Sequence, residues 1–157
     1  MPDPTRHWNI GMLLRAPQQL VVARLQAALL AAGFDDLQPA HHAVLQHLQN
    51  EGIRLGEIAR RASLTKQTIS QYVGYLEQHG YVRTAADPLD GRARLVLKTD
   101  KARRAERVAE QAMRALERDW TLLLGADGYA QLRRLLARLA TSDRADQQRR
   151  RGGRGMA

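Results

Sequence analysis

The spacing of apolar residues predicts a chain built mainly from helices. Between residues 7 and 32, apolar residues recur at helical spacing: Ile10, Leu13, Leu14, Val21, Leu25, Ala28 and Leu29. This pattern predicts a long first helix that ends at Gly33. Pro17 lies inside it and is expected to kink or divide the helix, because proline lacks a backbone donor and clashes with the preceding turn. A second helix is predicted from Pro39 to Asn50.

The middle of the chain predicts two helices joined by a tight turn. Residues 53–55 suit a small strand, and residues 56–62 suit a short helix. After a turn of about three residues, Thr65 is the expected N-cap of the next helix, which ends at Gly80. The apolar positions of that helix follow 3.6-residue spacing: Ile69, Tyr72, Val73 and Leu76.

A hairpin and two further helices are predicted after Gly80. Residues 81–84 and 95–97 are β-type runs that enclose the turn-rich segment AADPLDGRA. Thr99 can cap a long helix whose apolar stripe is broken between Gly125 and Gly128, and a last helix follows up to about residue 141. Residues 142–157 are polar and rich in arginine and glycine, which predicts a disordered basic tail.

The order of these elements indicates a DNA-binding surface. A helix, a short turn, a second helix and a basic hairpin form the layout that places one helix in the major groove and a β-loop against the DNA backbone or minor groove. Glutamine can pair with adenine, lysine can reach guanine or phosphate, and the free amides of a helix start favour a phosphate. The predicted contacts from this helix are Thr65, Lys66, Gln67, Thr68, Ser70 and Gln71. Gly74 shares the outer face, and its presence in a helix, which costs stability, would be explained by a close approach of DNA or of another helix, or by chance.

Composition is compatible with this interpretation but does not establish it. The chain carries 25 Lys+Arg against 16 Asp+Glu, a formal net charge of +9, which favours a polyanionic partner. Only three of the Lys+Arg residues are lysines, a skew that GC-rich coding alone could produce. Four of the arginines lie among the glycines of the predicted tail: Arg149, Arg150, Arg151 and Arg154. The absence of cysteine excludes disulfides, thiolate zinc sites and thiol-based oxidant sensing. Without a signal peptide or a membrane-length apolar run, a cytoplasmic protein is expected.

The sequence up to about residue 140 resembles the MarR family of bacterial transcription regulators. LQPAHHAVLQHL is similar to the second helix of the family, and IRLGEIARRASLTKQTISQYVGYLEQHGYVRT is similar to its helix-turn-helix. DPLDGRARLVLKTDKA is similar to its wing and to the segment, called the exit, that leads from the wing into the next helix. The D-P-x-D-R-R pattern of the family matches at Asp87, Pro88, Asp90 and Arg92, and its L-T-x-x-G exit matches at Thr99.

The wing departs from the family pattern at three positions. Gly91 replaces the first of the paired wing arginines, Lys98 replaces a usual leucine, and Ala102 replaces a usual glycine. Residues 92 and 94 share one side of a strand, so Arg94 can supply the lost positive charge. The resemblance implies that Arg92 or Arg94 reaches DNA, while Asp90 orients an arginine through its carboxylate.

The flanking helices indicate a dimer. Residues 7–34 and 99–141 carry continuous apolar stripes that must be buried somewhere, yet the predicted winged helix-turn-helix of residues 38–98 does not need these flanks. Burial against a partner is the simplest answer. The resemblance implies that these flanks intertwine into a homodimer, which sets two recognition helices about one DNA turn apart on a near-palindrome. Packing of the flanks within a single chain is the alternative.

Other chemistry finds little support in the sequence. His41, His42, His47 and His79 suggest metal ligands, but no His-x3-His pair or acidic partner accompanies them. No Gly-rich phosphate loop, H-E-x-x-H, G-x-S-x-G or cysteine nucleophile is present, so an enzyme, a cofactor and a metal are not expected. The family often holds a small aromatic or phenolic ligand between its dimer helices and its DNA-binding lobe, but no ligand-binding residue can be assigned from this sequence.

The sequence therefore predicts a mainly α fold with a winged helix-turn-helix core, a two-stranded wing and flanking dimerisation helices. The favoured hypothesis is a homodimeric repressor that binds double-stranded DNA and responds to a small-molecule effector. Two alternatives stay open: a sequence-tolerant architectural DNA-binding protein, and a winged helix that binds protein.

Overall fold

The computed structural model describes residues 5–152, without the side chains of residues 91, 92 and 142–152. The described residues divide into two compact units, one within Met1–Met113 and the other within Arg114–Ala157. The elements in chain order are α1 (Ile10–Ala31), a 3-10 turn (Pro39–His41), α2 (His42–Leu45), β1 (Ile53–Arg54), α3 (Leu55–Ala62), α4 (Lys66–Gln78), β2 (Val82–Asp87), β3 (Asp90–Lys98) and α5 (Asp100–Gly152). This confirms the predicted mainly α fold with a winged helix-turn-helix.

Helix α1 runs through Pro17 without being divided, contrary to one of the two outcomes expected at that proline. A proline removes one backbone donor, and the turns on either side of it keep their own hydrogen bonds. At the start, the Asn9 side chain accepts the Met12 N–H at 3.0 Å. At the end, Gly33 has a φ of +81°, and the Phe34 N–H reaches the Leu29 carbonyl at 2.9 Å, which closes the helix in a Schellman motif.

The predicted second helix is shorter than expected. The segment begins as a 3-10 turn at Pro39, and the α-helical part ends at Leu45, five residues before the predicted end at Asn50. Beyond Leu45 the chain continues with bonds between residues three apart, from His47 to Val44 and from Leu48 to Leu45. Apolar spacing continues through such tight turns, so spacing alone overestimates the α-helix.

The helix-turn-helix forms as predicted, with α3 and α4 joined at Ser63 to Thr65. Ser63 adopts a left-handed conformation with a φ of 55°, and Leu64 N–H closes α3 on the Ala59 carbonyl at 3.0 Å. The Thr65 hydroxyl accepts the Thr68 N–H at 3.1 Å, which confirms the predicted N-cap. Helix α4 ends at Gln78, just before the predicted stop at Gly80, whose φ is +74°.

The three strands form an antiparallel sheet in the order β1-β3-β2, with β1 before α3 and the other two strands after α4. The predicted hairpin is its β2-β3 part, and Ile53 and Thr84 both pair with Val96 from opposite sides. The register shifts between Ala86 and Asp87, where the hairpin enters its turn. The core of residues 1–113 includes residues from α1, α2, α3, α4, all three strands and the start of α5, and Tyr81 is among its largest fully buried side chains.

Helix α5 begins after Thr99, whose hydroxyl accepts the Ala102 N–H at 3.3 Å. Gly125, with φ 71° and ψ 160°, interrupts it in the predicted region. The helix then continues to Gly152, into the segment expected to be a disordered tail, and the disorder of residues 142–157 stays a prediction. Alanine, glutamine and arginine in this stretch are good helix formers, and their polarity alone does not prevent a helix. Residues 153–157 lie outside the described residues.

Candidate nucleic-acid interface

The two faces of α4 differ sharply in burial. Ile69, Val73 and Leu76 face the core and are almost fully buried. The opposite face exposes the polar residues predicted to contact DNA: Lys66, Gln67, Ser70 and Gln71. Thr65 and half-buried Thr68 lie at the start of the helix, with their hydroxyl oxygens 2.8 Å apart. The structure therefore brings the predicted base-reading side chains onto one accessible surface.

Gly74 also lies on this exposed face. A methyl group added to Gly74 would meet no described atom within 4 Å. Packing among the described residues therefore does not require glycine here, and a close approach from outside them and chance both stay open as its explanation.

The wing is joined to α4 by a chain of hydrogen bonds that the sequence did not reveal. The Arg94 guanidinium donates to the Thr84 hydroxyl at 2.6 Å. Both the hydroxyl and the N–H of Thr84 donate to Glu77 Oε1 at 2.9 Å. Arg94 is exposed, yet its guanidinium is held at the base of the wing.

The other predicted wing residues are placed only in part. Asp90 is exposed and opens β3, across from Asp87. The side chain of Arg92 lies outside the described residues. A DNA contact by either arginine and the orienting role of Asp90 stay predictions.

Asp87 is a buried carboxylate at the end of β2, with 5% of its side chain exposed. Its Oδ1 accepts the Leu89 N–H at 2.8 Å, and its Oδ2 accepts Arg54 Nε at 2.6 Å. These hydrogen bonds, first the one from Leu89 and then the one from Arg54, lower the pKa of Asp87. An aspartate before Pro-x-Asp is typical of a turn, but nothing in the sequence indicated a partner 33 residues away.

An ion-pair cluster covers the outer surface of α3. Glu57 accepts hydrogen bonds from Arg60 at 2.8 and 2.6 Å and from Arg61 at 2.6 Å. These bonds lower the pKa of Glu57 to about 2. Both arginines are thus engaged on their own helix by spacing of three and four residues.

Behind α4, a polar cluster joins the helix to the loop before α2 and to the start of α5. The Tyr75 and Tyr81 hydroxyls both donate to Asp36, and Lys101 Nζ lies 2.8 Å from Asp36 Oδ2. Burial would raise the pKa of Asp36, but the hydrogen bonds from Lys101 and Tyr81 outweigh it and lower that pKa. The Lys101 ammonium also lies 4.1 Å from the centre of the Tyr81 ring.

The histidines are part of this packing. The Tyr75 ring lies between the imidazoles of His41 and His79, at centroid distances of 4.3 and 3.9 Å. His41 Nδ1 accepts the Gln38 N–H at 3.1 Å, and burial, followed by the charges of His42 and His79, lowers the pKa of His41. In the described part of the chain, no three His, Cys, Asp or Glu side chains are grouped to hold a metal ion.

Comparison with known proteins identifies the family. A sequence profile of the MarR family matches residues 35–93. A solved structure of a probable transcriptional regulator from Pseudomonas aeruginosa is 30% identical, covering 84% of this chain and 97% of that one, with a TM-score of 0.66. No match was found among curated proteins.

Two further solved relatives were determined with a bound partner. The repressor CouR bound to a 23-mer DNA duplex is 26% identical over 87% of this chain and 96% of its own, with a TM-score of 0.71. CouR from Rhodococcus jostii RHA1 has also been solved with p-coumaroyl-CoA, at 27% identity over 85% and 92% of the two chains and a TM-score of 0.67. PcaV from Streptomyces coelicolor, solved with its natural ligand, is 26% identical over 91% and 98%, with a TM-score of 0.66.

None of the helices among the described residues is long and apolar enough to cross a membrane. The helix-turn-helix, the wing and the profile match fall on the same segment, and the Pseudomonas relative extends the similarity over most of the chain. The chain belongs to the MarR family of DNA-binding transcription regulators.

Proposed function

We propose that this chain is a homodimeric transcriptional repressor that reads a pseudo-palindromic operator with α4. The observation that carries the proposal is the division of α4 into a fully buried apolar face and an exposed face with Lys66, Gln67, Ser70 and Gln71. Amide and ammonium groups on an exposed helix match the donor and acceptor pattern of base edges in the major groove. Arg92 and Arg94 of the wing would contact the DNA backbone or minor groove.

Exposed apolar side chains support the dimer. In residues 1–113, helix α1 and its approach expose large apolar residues: Trp8, Ile10, Met12, Leu13, Leu14, Leu20 and Leu30. The unit from residue 114 exposes its own set: Leu122, Leu123, Leu124, Leu135, Leu136 and Leu139. So many exposed large apolar side chains on each unit are unusual on a monomer and are typical of a protein interface. A second copy of this chain is the partner that closed symmetry favours.

A small-molecule effector is part of the proposal. Two of the relatives were solved with ligands, p-coumaroyl-CoA in CouR and the natural ligand in PcaV. We infer that an aromatic or phenolic compound, free or as its coenzyme A thioester, weakens DNA binding here. Since an effector acts only through its different affinity for two states, the compound must bind the DNA-free form more tightly.

Selection of bound sequences from a random DNA pool tests the proposal. The full chain is expected to enrich one two-fold symmetric motif whose half-sites are separated by about 10 base pairs, which is one turn of DNA. That complex should survive excess random competitor. Enrichment of no motif would favour the architectural alternative, and absence of DNA binding would reject the proposal.

The effector is tested on the selected duplex with p-coumaroyl-CoA and a panel of hydroxylated aromatic acids. Coenzyme A is the matched control for the thioester, because it lacks the aromatic group. At least one aromatic compound is expected to raise the Kd for DNA while coenzyme A leaves it unchanged. If no compound changes the Kd, the effector is rejected and the DNA-binding function stands.

A further inference from the structure

The turn of the wing is fixed from inside the protein by one carboxylate. Asp87 is the last residue of β2 and lies at the register shift that leads into the turn. One carboxylate oxygen holds the Leu89 backbone inside the turn, and the other holds Arg54. Burial of a carboxylate costs free energy, and hydrogen bonds to both of its oxygens offset that cost.

Arg54 lies at the opposite end of this contact and belongs to the helix-turn-helix. It is the last residue of β1 and the residue that immediately precedes α3. Its backbone pairs with Leu95 of β3, while its guanidinium reaches past that strand to Asp87. About half of the Arg54 side chain stays exposed. The Arg54–Asp87 bond therefore links the start of the first helix of the motif to the turn of the wing.

We propose that Arg54 and Asp87 are positioning residues that hold the wing in its DNA-binding orientation. This inference rests on the proposed function. Leu89, which is 92% exposed, and Asp90 lie in the turn that Asp87 organises. The base of the hairpin is already joined to β1 through β3 and to α4 through Thr84 and Glu77. The bond from Asp87 to Arg54 adds a contact at the far end, beside the turn, and so restricts movement of the turn relative to this base. The pair thus sets the angle at which the wing side chains meet the DNA.

The direction in which each substitution changes the affinity for DNA distinguishes a positioning role from a direct effect of charge. DNA repels a carboxylate, so if charge alone mattered, removal of Asp87 would tighten DNA binding and removal of Arg54 would weaken it. Loss of both would then leave affinity near that of the unmodified protein, because the net charge is restored. If the pair acts by positioning, each single variant and the double variant all bind DNA more weakly.

The test compares Asp87→Asn, Arg54→Gln and the double variant on the selected operator. Each single variant is expected to raise the Kd for DNA about tenfold, the factor that corresponds to a loss of roughly 1.4 kcal/mol of binding free energy. The double variant should bind DNA no more weakly than the weaker-binding of the two single variants. Asp100→Asn is the matched control, since Asp100 also pairs with an arginine but is 87% exposed. The control should bind DNA as the unmodified protein does or slightly more tightly.

Hydrogen exchange of the free proteins supplies a second readout. The Leu89 amide is expected to exchange faster in Asp87→Asn and Arg54→Gln, while amides in the middle of α4 keep their protection. The Kd for DNA is measured under conditions in which circular dichroism shows that every variant is folded. A purely global loss of stability would therefore leave this Kd unchanged.

Each outcome has a defined meaning. Weaker binding by all three variants with local exchange at the turn supports the positioning role. If the unmodified protein binds the operator and Asp87→Asn binds equally or more tightly, the inference is overturned and the proposed function stands. If the unmodified protein binds no DNA, the proposed function falls and this inference falls with it.

Discussion

Single polar side chains define the ends of the elements that are proposed to face DNA. Thr65 fixes the start of α4 by accepting the Thr68 N–H, and Asp87 fixes the turn of the wing. Glu77 joins the far end of the same helix to β2 through Thr84. These side chains act on backbone geometry, so their loss should be visible both in stability and in the placement of neighbouring residues.

Thr65→Ala is expected to destabilise the folded protein by about 1 kcal/mol, because the first turn of α4 loses its capping acceptor. Urea unfolding followed by circular dichroism measures the change. Thr141→Ala is the control, since the Thr141 hydroxyl bonds only carbonyls of its own helix and alanine favours a helix. Equal effects of the two substitutions would contradict the capping role.

The histidine stack should make stability depend on pH. Burial lowers the pKa of His41 below its ordinary value of 6.5, so the unfolded chain binds a proton more readily than the folded one. His41 therefore contributes its full stability above about pH 6.5 and loses it as the pH falls towards its folded pKa. The denaturant concentration at the unfolding midpoint should decrease as the pH is lowered from about 7.5 to about 5.5. Most carboxylates do not titrate in this range.

His41→Asn isolates this effect, because an amide oxygen can accept the Gln38 N–H but does not titrate in this range. Its unfolding midpoint should depend less on pH than that of the unmodified protein. His7→Asn, at an exposed position, is the control and should leave the pH dependence unchanged. A pH dependence that His41→Asn does not reduce would exclude His41 as its source.

At the scale of elements, local signals predicted the helix-turn-helix and the hairpin well. The capping Thr65, the terminal Gly80 and the apolar spacing of α4 each act within a few residues, so they can be seen in the sequence. The short α2 was not predicted, because apolar spacing does not distinguish an α-helix from successive tight turns. The bond between Arg54 and Asp87 depends on how distant segments pack, which a single sequence does not reveal.

Gly74 inside α4 and Gly80 just after it should respond oppositely to alanine. Gly74→Ala is expected to stabilise the protein by up to about 1 kcal/mol, since the added methyl meets no described atom and alanine favours a helix. Gly80→Ala should destabilise it by about 1 kcal/mol or more, because the φ of +74° suits glycine. Urea unfolding of both variants checks the pair, and destabilisation by Gly74→Ala would show that α4 packs differently there.

For the whole molecule, the central structural expectation is self-association through the apolar flanks. Sedimentation equilibrium is expected to show a dimer at micromolar concentration. Leu13→Glu should shift the equilibrium towards monomer, because it places a charge among exposed apolar side chains of α1. Leu89→Glu, at an equally apolar and more exposed position in the wing turn, should leave the dimer intact. A monomeric unmodified protein would exclude the dimer.

The most direct test of the central claim compares base preference in two variants. Selection from a random DNA pool with Gln71→Ala should change which bases are preferred within each half-site, because Gln71 is assigned to base reading. Arg92→Ala should weaken binding to all sequences by a similar factor and reduce its salt dependence, because Arg92 is assigned to the DNA backbone or minor groove and not to base reading in the major groove. An unchanged motif for Gln71→Ala together with an altered motif for Arg92→Ala would contradict the account.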